Sequence, residues 1–286
     1  MSSSTLIGID LGATNVRVAR IVDSEIESIL KEPISNTDNA ELLVDQIKSL
    51  ISSLLNEKVQ AIGIGVPSVV DVEKGIVYDV QNIPSWKAVP LKDILEKAFK
   101  VPVFINNDAN CFVLGEKYFG AAKEYSSVVG LILGTGFGSG LILNNTLYSG
   151  KNCGAGEVGM LPYKDSIFEH YCSGQFFEIH KNSDGAKIYK EAIANQEEAL
   201  VIYKEFGKHL GNAIKSVMYA YDPELIVLGG SVSKGFSFFE DTMKEALKDF
   251  AYPNSIKNLK IITSELDQVA VLGAAALSLN DQVLHK

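Results

Sequence analysis

No Cys-x-x-Cys pair occurs in this chain, and its three cysteines, Cys111, Cys153 and Cys172, are odd in number and far apart. Neither a disulfide framework nor a cysteine zinc site is indicated by such spacing. No apolar run approaches the roughly 18 residues that a membrane-spanning helix needs. The opening MSSSTLIGIDLG has neither the basic region nor the long apolar stretch of a signal peptide, so a cytoplasmic location is expected. Basic residues are in deficit, 26 against 35 acidic, giving a formal net charge of -9 with no basic cluster. Nucleic-acid and membrane-surface partners are therefore not expected, because phosphate-rich surfaces demand concentrated Lys and Arg. Nor does a low-complexity linker divide the chain.

What remains is an ordinary globular composition, 286 residues with 47% hydrophobic and 21% charged, long enough to bury a core unaided. Its pattern runs twice through one order. Residues 6–10 form a short apolar run ending in Asp-Leu-Gly, and residues 15–22 alternate as a half-buried strand should. Asp23-Ser24 turns the chain into a third strand over 25–31. A helix is predicted at 40–56 with Leu42, Leu43, Ile47, Leu50, Ile51, Leu54 and Leu55 on one face. A buried strand at 61–66, a short helix at 93–99, a strand at 103–106 and a helix at 108–118 follow. The order then restarts with strands at 128–133 and 138–143, turned at Asn144-Asn145, whose side chains tolerate positive φ. A long helix at 197–221, strands at 225–228 and 259–263, and helices at 236–250 and 269–279 complete it. This doubling predicts two similar α/β lobes with a cleft between them. The expected division is 1–108 plus 270–286 for the first lobe and 109–269 for the second.

Two turns are rich in small residues: Asp10-Leu11-Gly12-Ala13-Thr14-Asn15 and Gly134-Thr135-Gly136-Phe137-Gly138-Ser139-Gly140. Small residues let backbone N–H groups approach phosphate oxygens, and a Thr hydroxyl adds a donor. Neither ends in the Gly-Lys-Ser/Thr of a Walker loop, and neither leads from strand to helix as a dinucleotide fingerprint does. Each lies between strands, where it is either a plain hairpin turn or a loop that wraps phosphate. Gly229-Gly230 follows a buried strand and is open to two readings, a strand-to-helix turn or a close approach to adenosine.

Three carboxylates stand out. Asp108, in Asn106-Asn107-Asp108-Ala109-Asn110, opens a helix after a strand. It reads as a helix cap or as a base that takes a proton from an alcohol during phosphoryl transfer. Glu157 lies in Gly154-Ala155-Gly156-Glu157-Val158-Gly159, a loop that reads as flexible and tight, and Glu169 opens Glu169-His170-Tyr171-Cys172-Ser173-Gly174. Carboxylates and amides that bond several hydroxyls are what a sugar pocket requires. His170 reads as a surface or packing residue.

Taken in order, these segments resemble the ROK family of bacterial sugar kinases and repressors, within the actin-like ATPase superfamily. DLGATN resembles the family's first phosphate motif, with Ala13 where a second Gly is usual. GVPSVVD (65–71) resembles GVPGxVD with Ser68 replacing Gly, and NIPSW (82–86) resembles NLPGW. NDANCFVLGE (107–116) is similar to NDANAAALGE, LGTGFGSGLILNNTLYSG to the second phosphate motif, GAGEVG to GAGEIGH, and LGGSVS to the adenosine segment.

The resemblance implies a two-lobed, ribonuclease H-like α/β fold with a duplicated lobe and a central cleft. It implies Asp108 as catalytic base, with Ser68, Asn82, Asn107, Glu157 and Glu169 on the sugar. Asp10, Gly12, Thr14, Asn15, Gly134, Thr135 and Gly136 would surround the phosphates, Gly229 and Gly230 the adenosine, and Asp10 would lie near magnesium. ATP and Mg2+ are the implied cofactors and a homodimer the implied assembly. The implied reaction is phosphorylation of a hexose at its 6-hydroxyl, glucose first and an N-acylated hexosamine next. A sugar-sensing regulator is the rival, though no basic recognition helix precedes Asp10. Family members also carry a zinc loop, with a His after GEIG and a cysteine-rich run before the Glu. Here Met160 stands at the His position and residues 160–168 contain no cysteine, so zinc is expected to be absent.

Overall fold

In the computed structural model the described residues are 4–12, 14–34, 39–80, 83–151 and 153–284. The first strands are β1 (Thr5–Leu11), β2 (Asn15–Val22) and β3 (Glu25–Pro33), joined as antiparallel hairpins. Asp23 and Ser24 take positive φ of 49° and 74°, the twist a two-residue hairpin turn requires. Helix α1 (Ala40–Leu54) starts at Asn39, whose side chain accepts from Glu41 N, and buries Leu43, Val44, Ile47, Leu50, Ile51 and Leu54. Leu42, expected on that face, is 51% exposed, because one residue back along the helix turns it away from the Leu43–Ile47–Leu50 stripe. Strand β4 (Val59–Val66) runs parallel to β1. A small antiparallel sheet of β5 (Val69–Asp71), β6 (Ile76–Tyr78) and β7 (Ala88–Val89) comes next, then α2 (Leu91–Phe99), β8 (Val103–Asn107) and α3 (Asp108–Tyr118).

The second half begins with the antiparallel pair β9 (Val128–Leu133) and β10 (Phe137–Leu143). Asn144 and Asn145 both take positive φ, 51° and 64°, as expected of the turn before β11 (Thr146–Leu147). Then come the hairpin β12 (Pro162–Tyr163) and β13 (Ser166–Ile167) and three helices, α4 (Phe168–Cys172), α5 (Gln175–Lys181) and α6 (Gly185–Ile193). Helix α7 (Glu197–Tyr221), β14 (Leu225–Gly229), α8 (Phe236–Leu247), α9 (Pro253–Asn258), β15 (Lys260–Thr263) and α10 (Val269–Leu284) complete the chain.

Contacts divide the chain into two compact units, 1–124 with 145–155 and 265–286, and 125–144 with 156–264. In the first unit the strand order is β3-β2-β1-β4-β8; in the second, β10-β9-β14-β15. An antiparallel hairpin continued by two parallel strands is thus built twice. The boundaries differ from the expected ones in two physical respects: residues 109–124 and 265–269 join the first unit because α3 packs on α10, and residues 145–155 join it because Ser149 and Cys153 bond to Asn106. Glycine makes that packing close. A Cβ on Gly273 would lie 1.6 Å from Cys111 O, and one on Gly63 of β4 would lie 1.8 Å from Ala274 O. Helix α10 therefore presses its Val271, Ala274 and Ala275 onto the sheet at backbone distance, and all three are buried.

The core of the first unit centres on Ile7, Ile9, Ile62, Ile64 and Trp86, with Trp86 Nε1 donating to Ala40 O at 3.3 Å. In the second unit α7 packs on α8, and aromatic side chains gather around Phe176, Phe177, Tyr203, Phe206 and Phe239.

Candidate active site

In the first unit three parallel strands end together: Asp10 pairs in register with Gly65, and Gly65 with Asn106. In open α/β sheets this carboxyl edge is where ligands bind. Asp10 is buried and faces Arg17 across the hairpin, accepting on Oδ2 from Nε at 2.9 Å and from Nη2 at 2.5 Å. Burial raises the Asp10 carboxyl above its ordinary value, and the Arg17 guanidinium works against that rise. Gln268 Oε1 accepts from the other Arg17 nitrogen at 3.1 Å and so fixes the guanidinium. After Asp10 the chain turns tightly, with Gly12 N donating to Asn15 O at 3.0 Å. Thr14 is exposed, and its Oγ1 accepts from Asn15 Nδ2 at 2.8 Å. Ala13, and Asn82, which the resemblance implied on the sugar, lie outside the described residues.

Asp108 stands at the first position of α3, and Asn107 is the cap: its Oδ1 accepts from Ala109 N at 2.8 Å. The alternative open in the sequence is thereby resolved in part, because the capping role falls to Asn107 and leaves Asp108 in the first turn. An acidic side chain there is favoured by the helix dipole. Asp108 Oδ1 also lies 2.8 Å from Ala109 N. Asn107 Nδ2 reaches Ser68 O at 3.4 Å, while the Ser68 hydroxyl donates to Tyr78 O. Ser68 and Asn107 are thus brought together, and the Ser68 hydroxyl is engaged with backbone.

Asn106, unassigned from the sequence, proves to be the hub under this strand end. Its Oδ1 accepts from Asn107 N at 2.9 Å, Asn110 Nδ2 at 2.8 Å and Cys153 Sγ at 3.1 Å, and its Nδ2 donates to Ser149 Oγ at 3.1 Å. Ser149 and Cys153 are thereby tied to the segment that carries Asp108. Cys111, buried behind Asp108, has its thiol pushed well up, by burial first and then by the charges of Asp108 and Asp10.

In the second unit the turn after β9 closes with Gly134 N donating to Gly136 O at 3.0 Å, and Thr135 is exposed at its tip. Glu169, on α4, lies against this turn: Oε2 accepts from Phe137 N at 2.9 Å and Oε1 from Gln175 Nε2 at 3.1 Å. A Cβ on Gly136 would sit 2.6 Å from Glu169 Oε2, so the glycine makes room for the carboxylate. Gly230 takes φ of +86° and brings its backbone onto the end of β9, where a Cβ would meet Leu133 O at 2.4 Å. A cavity of about 350 Å³ opens beside both, lined by Gly134, Thr135, Gly174, Gln175, Tyr189 and Ser231. Its glycine backbone at one end and tyrosine at the other suit a phosphate chain and a flat ring.

Glu157 is exposed and lies in a pinned turn rather than a flexible one. Ser139 Oγ donates to Gly156 O, Val158 N reaches Gly156 O at 2.6 Å, and a Cβ on Gly159 would lie 2.3 Å from Phe137 O. These glycines therefore serve close approach to β10, not mobility. The Glu157 carboxyl is raised by loss of surrounding water and, second, by the like charge of Glu169. Two carboxylates close enough to feel each other leave acceptors for several hydroxyls.

For magnesium the donor set is small, one buried carboxylate with Oδ2 committed to Arg17. That fits an ion that keeps several waters and is held by one or two carboxylates and substrate phosphates. A structural zinc does not fit. Among the described residues no group of three His, Cys, Asp or Glu stands together as metal ligands. Cys172 is fully buried, with its thiol pushed well up by burial, His209 Nδ1 is committed to Tyr163 Oη at 3.0 Å, and His170 Nδ1 to Ser166 Oγ at 2.6 Å. Met160 is 57% exposed.

A hairpin-plus-parallel sheet built twice, each with a glycine turn at its hairpin, defines a duplicated ribonuclease H-like fold of the actin-like ATPase class. The ROK family model matches residues 6–281, and the chain belongs to the ROK family. It is 29% identical to a glucokinase of Thermotoga maritima over 97% of this chain and 98% of that protein. An N-acetyl-D-glucosamine kinase of Vibrio parahaemolyticus is 33% identical, over 94% and 98%. A ROK glucokinase of Streptomyces griseus, solved with glucose and AMPPNP, superposes with a TM-score of 0.78 at 25% identity, over 96% and 99%. A xylose repressor is among the relatives as well, so membership alone does not separate enzyme from regulator. No described helix is long and apolar enough to cross a membrane.

Proposed function

We propose that this protein is an ATP-dependent sugar kinase that phosphorylates a hexose at its 6-hydroxyl, glucose being the first substrate to test. The observation that carries the reading is the first turn of α3: Asp108 stands at the carboxyl edge of the parallel strands, on the same edge as Asp10, with capping already supplied by Asn107. In this role Asp108 orients the sugar hydroxyl and accepts its proton as the phosphoryl group arrives. Asn107, held on Ser68 O, contributes to the sugar side, as do Glu157 and Glu169. The turns at Gly12–Asn15 and Gly134–Gly136 present backbone donors to the phosphates, and the cavity beside Gly230 takes the adenosine. Asp10 would hold magnesium, which when bound neutralises charge on the phosphate oxygens.

The test is ADP release by the purified protein with ATP and Mg2+ across a hexose panel, with the product's phosphate position assigned by NMR. Turnover of glucose to its 6-phosphate is the expected result. The 33% identity to an N-acetyl-D-glucosamine kinase supports N-acylated hexosamines as the second substrate class. Sugar binding without turnover on any member of the panel would overturn the kinase reading and make the protein a sensor.

A further inference from the structure

The segment that presents Glu169 is held by a hydrogen-bonded aromatic knot. Tyr163 of β12 stacks on Phe168, the residue before Glu169, with ring centroids 4.4 Å apart and planes at 18°, and meets Tyr171 edge-on at 5.2 Å. Phe168 N donates to Leu161 O at 3.0 Å, which closes the hairpin onto the start of α4. From α7, Asn212 Nδ2 donates to Tyr163 Oη at 3.1 Å, and the same oxygen is hydrogen-bonded to His209 Nδ1 at 3.0 Å. The second His209 nitrogen, Nε2, points toward Glu205. Glu205 Oε1 faces it at 3.7 Å, beyond hydrogen-bond range, while Glu205 Oε2 is bound to Lys181 at 2.5 Å. His209 Nε2 is buried without a hydrogen-bond partner, which costs free energy and is seldom kept without a reason. Burial brings the His209 imidazole down to about 4, so it is neutral at physiological pH.

We propose that the Tyr163–His209 hydrogen bond is a positioning device that fixes Glu169 against the second glycine turn, a task it performs without a structural metal. Three observations converge. The knot ties the hairpin to α7 and to both sides of Glu169 in sequence, through Phe168 and Tyr171. Glu169 in turn meets the turn with both oxygens engaged. Among the described residues no three His, Cys, Asp or Glu stand together as a zinc ligand set. Tyr163 and His209 act through Glu169, so the inference rests on reading Glu169 as a sugar ligand.

The experiment measures the sugar dissociation constant by calorimetry alongside KM for sugar and for ATP, in wild type, Tyr163→Phe, His209→Phe and the double variant. Tyr163→Phe keeps the ring stack and removes only the hydroxyl. It is expected to weaken sugar binding about tenfold while changing the ATP KM less than about twofold. The double variant should be no worse than the poorer single one, because both remove the same bond. Zinc content of the purified wild type is expected to be well below one per chain. Unchanged sugar affinity in Tyr163→Phe, an equal rise in both KM values, or stoichiometric zinc whose chelation weakens sugar binding would each overturn the proposal. Wild-type protein that binds sugar without turning it over refutes the kinase reading alone, since the calorimetric comparison still stands. Wild-type protein that binds no sugar refutes both.

Discussion

The first glycine turn carries a carboxylate of its own, Asp10, one strand residue before it, steadied by Arg17 from the facing strand. The second has none in its motif and takes Glu169 from a helix 32 residues further on. The space around the glycines records the difference. A methyl on Gly12 would meet only Asn15 O at 3.3 Å, whereas one on Gly136 would strike Glu169 Oε2 at 2.6 Å. One sheet pattern, used twice, has acquired its acid locally in one copy and from the segment between β11 and α7 in the other. A duplicated sheet need not duplicate the carboxylate at its turn.

The largest effect should come from Asp108→Asn, the substitution aimed at the unit that holds the proposed base. kcat is expected to fall about 10²- to 10⁴-fold with sugar affinity largely kept. A variant with more than about a tenth of wild-type kcat would remove Asp108 from that role. Next is Gly273→Ala, whose Cβ would meet backbone at 1.6 Å. Chemical denaturation should show a loss of at least about 3 kcal/mol, since overpacking against backbone has no rotamer to relieve it. A loss under about 1 kcal/mol would mean that α10 rides more loosely on α3 than described.

Arg17→Met separates the two turns most directly. It removes the partner of buried Asp10, and because Arg17 is partly exposed the cost should be about 2 kcal/mol at neutral pH. Asp10 already has a raised carboxyl. A group raised in the folded state contributes stability that is present below its unfolded value and lost as pH rises through the folded one. Loss of Arg17 raises it further, so the variant's deficit should be largest near about pH 8 and shrink toward about pH 4. A deficit independent of pH would assign the loss to packing rather than charge. Paired glycine variants then test the asymmetry itself: Gly136→Ala should weaken sugar binding several-fold more than Gly12→Ala, as read by calorimetry. Leu42→Gln should shift stability by less than about 0.5 kcal/mol, because the side chain is exposed.

Local patterns were legible where one element is enough to decide them. The alternation of β2 predicts that strand to the residue, the long helix expected at 197–221 matches α7, and the hairpin asparagines announce their positive φ. Strands of two or three residues such as β5, β7 and β12 carry no period to read, and α4 and α5, of 5 and 7 residues, are too short for one. Leu42 falls beside the apolar stripe of α1 in the helical period, and only the packed helix shows which edge of that stripe stays outside. Asn106 escaped notice because its partners, Ser149 and Cys153, are 43 and 47 residues away. The glycines around Glu157 signalled a loop, but whether a glycine confers mobility or admits a neighbour depends on what stands beside it. Asp108 and Glu169 were located through whole motifs. The cap at Asn107 and the tyrosine–histidine knot behind Glu169 required the structure.

Helix α10 has one more consequence, for synthesis. The first unit draws residues 265–284 onto β1, β4 and α3, so its sheet lacks that cover until the entire second unit has left the ribosome. The second unit, whose strands all lie between 128 and 263, can compact earlier. A nascent chain therefore carries an uncovered apolar sheet face, centred on Gly63, Ala61 and Leu6, for most of its elongation. Chaperone engagement and aggregation during expression should accordingly depend on sequence at the far end of the chain from the face being protected.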